Sequence, residues 1–289
     1  ARREFETASA IQAILDDVGV PNSVLPGNHD SKRGVDRSLF NDYFPVSRYA
    51  GQPWFGGSIA PDDNSANYST FERAGARVLM LSLPYAYGET EIAWASDVVT
   101  SHPDYNVVIS THEYVTAKTV EVAAGHSVNS RWVSHGGQLW DEVIAPNRNV
   151  VLVLAGHFHG VGQIVNVDAG GISGHTVVEM LADYQEFRTH TGERGTGFQR
   201  LLQIDLASGT VAVDTFSARL DAAASFPYDY RQFVPDNGMP STLSNERPWA
   251  IVEAGLQNRY TAEDDEFTAQ VSFQYEKSVQ TGGVFAAVP

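Results

Sequence analysis

Three runs constrain this chain more than anything else in it: 76–83 (ARVLMLSL), 106–110 (NVVIS) and 149–155 (NVVLVLA). Each is almost continuously aliphatic or β-branched, with none of the in–out alternation of a strand that has one wet face. Strands of this kind are buried on both sides, which requires a sheet covered by other layers. Between the first two lies 91–100, where Ile92, Ala95, Val98 and Val99 share a helical face. Buried strand alternating with surface helix predicts an α/β layered sheet. An earlier helix is expected over 2–18, with Phe5, Ala8, Ile11, Leu15 and Val18 at helical spacing and Gly19 and Pro21 as the stop. It leads into a short strand at Ser23-Val24-Leu25.

The second half changes character. Runs at 161–167 and 176–181, and the pair 199–206 and 210–216 joined at Ala207-Ser208-Gly209, read as a second, more antiparallel sheet containing a tight hairpin. From 221 to about 248 the chain is aromatic, proline-rich and aperiodic, as expected of a long surface loop. DEFTAQVSF (265–273) follows as a closing strand, and TGGVFAAVP (281–289) as a frayed end. The division expected is one main domain over 1–220 and a loop-rich extension over 221–289.

Composition narrows the chemistry. With 19 Lys and Arg against 35 Asp and Glu, the formal charge is −16, a surface that disfavours nucleic-acid duplexes and anionic membranes. No apolar run reaches the roughly 20 residues of a membrane helix, so no membrane span is expected. There is no cysteine, so any metal must be held by nitrogen and oxygen.

Polar clusters follow directly on the apolar strands: Gly27-Asn28-His29-Asp30 after Val24-Leu25, Thr111-His112 after 107–110, and Gly156-His157-Phe158-His159 after 150–155. Open α/β sheets bind ligands at the carboxyl ends of their strands, so parallel neighbours would bring the three clusters together. An i, i+2 spacing in extended chain puts the rings of His157 and His159 on one side. His112, His157 and His159 with the amide oxygen of Asn28 form a donor set suited to Mn, Fe or Zn rather than Ca or Mg. His29 stands beside Asn28 as a candidate proton donor to a leaving oxygen, with Asp30 expected to orient it. His126, His135 and Arg131 read as solvated loop side chains, and Asp183 and Tyr184 receive no role. The acidic pairs 16–17, 62–63 and 264–265 read as surface, which leaves glycosidase chemistry without support.

The order GNHD, Thr-His, GHxH resembles the calcineurin-like metallophosphoesterase superfamily, whose motifs fall over residues 27 to 159 in the same order. The resemblance implies a four-layered α/β/β/α sandwich of two mixed sheets with helices outside. It also implies a binuclear centre of two transition-metal ions (Mn, Fe or Zn) and a small phosphate monoester or diester as substrate. Asn28, His112 and His157 would then ligate one ion and His159 the other, while His29 would meet the scissile phosphate or its leaving group. Two motifs of the family, Asp-x-His and Gly-Asp-x-x-Asp, occur nowhere in residues 1–289. The expectation is therefore a fold lacking its N-terminal strands, a parent protein that hydrolyses phosphate esters, and a chain that alone binds metal weakly and is nearly inactive. Resemblance to bacterial members with a strand-rich C-terminal part points to a secreted or cell-surface bacterial protein. The alternative is a non-catalytic phosphoesterase-like binding or scaffold module. A metallo-β-lactamase-type hydrolase is excluded, because it needs a His-x-His-x-Asp-His run and Gly160 is followed by Val161-Gly162-Gln163.

Overall fold

The computed structural model describes residues 2–117, 124–127, 135–185, 196–223 and 262–276. Its elements are α1 (Arg2–Asp17), α2 (Ser38–Tyr43), α3 (Val46–Tyr49), β1 (Phe55–Ala60), β2 (Asp63–Arg73), β3 (Ala76–Leu83), α4 (Glu89–Thr100), β4 (Asn106–Thr111), β5 (Val115–Thr116), β6 (Gly125–His126), α5 (Gly136–Leu139), continued as a wide helical turn over Trp140–Ile144, β7 (Val150–Ala155), β8 (Gly160–Asn166), β9 (Val177–Asp183), β10 (Phe198–Asp205), β11 (Thr210–Ser217), β12 (Ala222–Ala223), α6 (Ala262–Asp265) and β13 (Phe267–Gln270). No helix among the described residues is long and apolar enough to cross a membrane.

The fold is α/β, built on a seven-stranded mixed sheet in the order β1-β2-β3-β4-β7-β9-β8. The four central strands β3, β4, β7 and β9 are mutually parallel, and β1, β2 and β8 join antiparallel at the two sides. The three aliphatic runs thus occupy the interior of the sheet. One face packs against α4 and the α5 segment through Leu79, Leu81, Ile92, Ile109, Val143 and Val153, all fully buried. The other face, through Val108, Val151, Leu152, Val178 and Met180, meets Val211, Val213, Ala269 and Val271 of a second, antiparallel sheet. Each such aliphatic side chain withdrawn from water contributes about 1.5–3 kcal/mol, so both contacts help hold the layers together.

Several expectations are corrected. β8 and β9 belong to the large sheet, and the second sheet consists of β10, β11, β12 and β13. β13 comes from beyond residue 220, pairing with β11 and burying Ala269 in the contact between sheets. Residues 262–276 thus supply the closing strand expected over 265–273, joined to the second sheet. Gly209 shows how the return is made. With φ +70° it turns the β10–β11 hairpin, and its amide neighbourhood is so tight that a Cβ there would lie 2.3 Å from the carbonyl oxygen of Val271. The expected wrapping loop beyond residue 223 and the frayed end lie outside the described residues.

Ser23-Val24-Leu25 forms no strand. Side chains fix it instead: Ser23 Oγ lies 3.0 Å from Asn67 Oδ1 and 2.6 Å from Ser82 Oγ, while Asn67 Nδ2 donates to the Val24 carbonyl at 2.8 Å. β2, which sequence reasoning missed, buries Asn64, Ser65, Ala66 and Asn67. Helix α1 is held by Phe5 against Phe40 and Phe44, and by Arg48, whose guanidinium bonds Asp16 at 2.8 Å and Ser9 Oγ at 2.7 Å. The apolar face expected to be its core side is largely open among the described residues, with Ile11, Leu15 and Val18 exposed.

Candidate metal centre

The site lies where β3, β4 and β7 end. Because these strands run parallel, their last residues open onto one edge, and β4 and β7 are neighbours. His112 follows β4 directly, and its carbonyl accepts the Gly156 amide at 3.1 Å, tying the two strand ends together. His157 follows β7. After β3, the Tyr85 amide donates to the Pro26 carbonyl at 2.9 Å, bringing the GNHD loop alongside. The loop is closed from within: the Gly27 amide donates to Asp30 Oδ2 at 2.9 Å, Ser31 Oγ to the Gly27 carbonyl at 2.8 Å, and the Arg33 amide to the Asn28 carbonyl at 2.7 Å.

Three of the four expected ligands are in direct contact. Asn28 Oδ1 lies 3.1 Å from His112 Nε2, and His157 Nδ1 lies 3.2 Å from the same nitrogen. Donors that share a cation at about 2.1 Å stand about 3.0–3.4 Å apart for octahedral to tetrahedral angles, so this spacing suits one ion. Among the described residues no three His, Asp or Glu side chains are grouped as an ion site; the third donor here is an amide oxygen. His29 and His159 join as electrostatic neighbours of His157. His29 is exposed at the mouth.

One expectation about local geometry is corrected. His157 and His159 do not sit in extended chain: residues 157–159 form a bend, with His157 at φ +68°, so strand alternation does not place their rings. A non-glycine residue in left-handed backbone is strained and needs its surroundings to hold it. Asp30, expected to orient His29, accepts from the Gly27 amide with Oδ2.

The packing around the imidazoles is close. The buried Tyr85 ring stands edge-on to His112 with centroids 5.6 Å apart and tilts onto His157 at 5.3 Å. Gly27 is required by proximity, since a Cβ there would lie 2.9 Å from His112 Cε1. Burial, with the neighbouring imidazoles of His157 and His29, pushes the His112 pKa down to about 4, which leaves the ring neutral and able to donate a lone pair at neutral pH. Burial also lowers the pKa of His157, against the opposing pull of Glu113 and Asp183.

Of these two carboxylates, Asp183 was given no role from the sequence and Glu113 was not singled out. Glu113 is buried beside His112, with Oε1 accepting from Ser127 Oγ at 2.7 Å and Oε2 3.7 Å from His157 Nε2. An acidic residue next to a candidate ligand was the available signal. His126 is also misread as a loop residue: its Nε2 lies 2.6 Å from the buried Glu179, which also accepts from Tyr114 Oη at 3.1 Å, and its ring stacks on Tyr114. His135 precedes α5, its carbonyl accepting the Leu139 amide; Arg131 lies outside the described residues.

No protein-family model matches the chain. Over 220 residues it is 33% identical to the uncharacterized protein YvnB of Bacillus subtilis strain 168, a match that covers 74% of this chain. The chain spans 16% of the length of that curated relative.

Proposed function

We propose that this chain belongs to a metal-dependent phosphoesterase of the calcineurin-like type, acting on a small phosphate monoester or diester. The observation that carries this reading is the meeting of Asn28, His112 and His157 at the carboxyl ends of parallel strands although 129 positions separate the first from the last. The two facing sheets, with helices over the larger, are compatible with three of the layers in the four-layered sandwich that the resemblance implies.

Asn28, His112 and His157 would hold one ion and His159 would serve a second. When bound, such ions supply Lewis acidity and neutralise charge on the phosphoryl oxygens. The chain's own groups do the rest. The amide and two imidazoles set the position of the phosphoryl group, and Tyr85 backs both rings and keeps water from behind them. His29, exposed at the mouth, would hold the proton that passes to the leaving ester oxygen as its bond to phosphorus breaks. Asp30 shapes the loop that presents both Asn28 and His29.

The Asp-x-His and Gly-Asp-x-x-Asp motifs are absent from residues 1–289. This observation favours a second reading, a phosphoesterase-like module that binds without turnover. Elemental analysis after Mn²⁺ loading, with turnover of p-nitrophenyl phosphate and bis-p-nitrophenyl phosphate, separates the two. The enzymatic reading expects substoichiometric metal and slow hydrolysis that is lost in Asn28→Ala and His112→Ala. Metal uptake with no hydrolysis above that of the His112→Ala chain would favour the binding module, and no uptake would end both.

A further inference from the structure

We infer that Glu113 is a positioning residue for His157: its buried carboxylate holds the imidazole in the Nε2–H form and so leaves the Nδ1 lone pair facing His112. The inference rests on the metal-binding reading above and adds to it a residue outside the donor set. Glu113 is 1% exposed. Its Oε1 is satisfied by Ser127 Oγ at 2.7 Å, whereas Oε2 is buried with no hydrogen-bond partner among the described residues. Burying a carboxylate oxygen without a partner is costly, and a fold keeps one only where a donor or a charge answers it. The group that faces Oε2 is His157 Nε2, 3.7 Å away, a separation that a small rotation of either side chain closes to a hydrogen bond.

The two nitrogens of His157 thus face opposite chemistries. Nε2 looks at a carboxylate oxygen, which accepts only, so it carries the proton. Nδ1 looks at His112 Nε2 at 3.2 Å and is left with its lone pair outward. A carboxylate behind an imidazole in this way sets the tautomer and raises the basicity of the ligating nitrogen. Asp183 is the other acidic neighbour of His157, and its Oδ1 accepts the Gln185 amide at 2.8 Å. The backbone of Glu113 is fixed as well, its carbonyl accepting from Tyr87 Oη at 3.2 Å.

Glu113→Gln tests this in the 289-residue chain. The substitution keeps the size and the acceptor for Ser127 but turns an amide N–H₂ toward His157 Nε2. The ring should then switch to the Nδ1–H form, closing the ligating nitrogen. Long-range ¹H–¹⁵N spectra of the metal-free chain should show His157 as Nε2–H in the unmutated protein and as Nδ1–H in E113Q. Zn²⁺ affinity, read by competition with a chromophoric chelator, should fall by about 10–100-fold. Finding Nδ1–H in the unmutated chain, or the same tautomer and the same Zn²⁺ affinity in both chains, overturns the inference. If E113Q does not fold, the spectrum of the unmutated chain decides alone. Failure of the unmutated chain to bind Zn²⁺ would instead refute the metal-binding reading, because the tautomer comparison needs no metal and judges Glu113 separately.

Discussion

Gly27→Ala asks whether the GNHD loop and His112 are fitted to each other as closely as their contact implies. A methyl at residue 27 would lie 2.9 Å from His112 Cε1, 3.1 Å from Nδ1 and 3.2 Å from Asp30 Oδ2. Carbon atoms settle at about 3.5–4.0 Å, so the imidazole must retreat by about 0.6 Å. Behind it stand the Tyr85 ring and His157, with centroids 5.6 and 5.0 Å away. Tyr85 is fully buried, so the retreat meets packed atoms. Overfilling of this kind costs about 1–3 kcal/mol. It also moves one donor by more than the about 0.2 Å that a coordination distance tolerates, so Zn²⁺ affinity should drop at least about tenfold, equivalent to about 1.4 kcal/mol. Urea melts in chelator give the first number and competitive Zn²⁺ titration the second. A Gly27→Ala chain with an unchanged midpoint and unchanged affinity would refute the close fit, and with it the placement of the loop over His112.

Two further expectations concern pH and the return of the chain. The folded pKa of His112, depressed from 6.5 to about 4, means that the unfolded chain binds the proton more readily. The associated stability is complete above about pH 6.5 and is lost as pH falls toward 4, by about 3 kcal/mol at most; the lowered His157 acts in the same sense. Urea midpoints of the metal-free chain should fall across that window, and His112→Gln should flatten the fall; an equal slope in both chains would refute it. Gly209→Ala places a methyl against the Val271 carbonyl in left-handed backbone, which should cost about 2–4 kcal/mol and expose the 262–276 return to protease. A loss within about 0.5 kcal/mol, with unaltered cleavage, would show that this crossing is not tight.

What could be read beforehand was what burial alone encodes. β3, β4, β7 and α4 were legible to within two residues because their apolar side chains are continuous or helically spaced. β2 was not, since its buried residues are held by polar bonds: Asn64 Nδ2 donates to the Phe44 carbonyl and Asn67 Nδ2 to Val24 and Asn64. Hydropathy is blind to a strand made of asparagine and serine. The meeting of His112 and His157 was legible because it needs only parallel strands and their ends; Asn28 joins them although the strand expected before it is not formed. The way His157 reaches the site was not, because a left-handed residue between a strand and a bend leaves no periodic trace. Glu113 and Glu179 were passed over because a lone acidic residue in sequence normally lies in water, whereas here Ser127, Tyr114 and His126 receive their carboxylates.

The left-handed backbone of His157 gives drift a direction at that position. Glycine, or to a lesser degree asparagine, would occupy φ +68° with less strain, so a lineage released from holding an ion would gain stability by abandoning histidine there before anywhere else in the cluster. On the metal-binding reading proposed above, the identity of the residue at this one corner is therefore an indicator, readable from sequence alone, of which homologous chains would hold an ion.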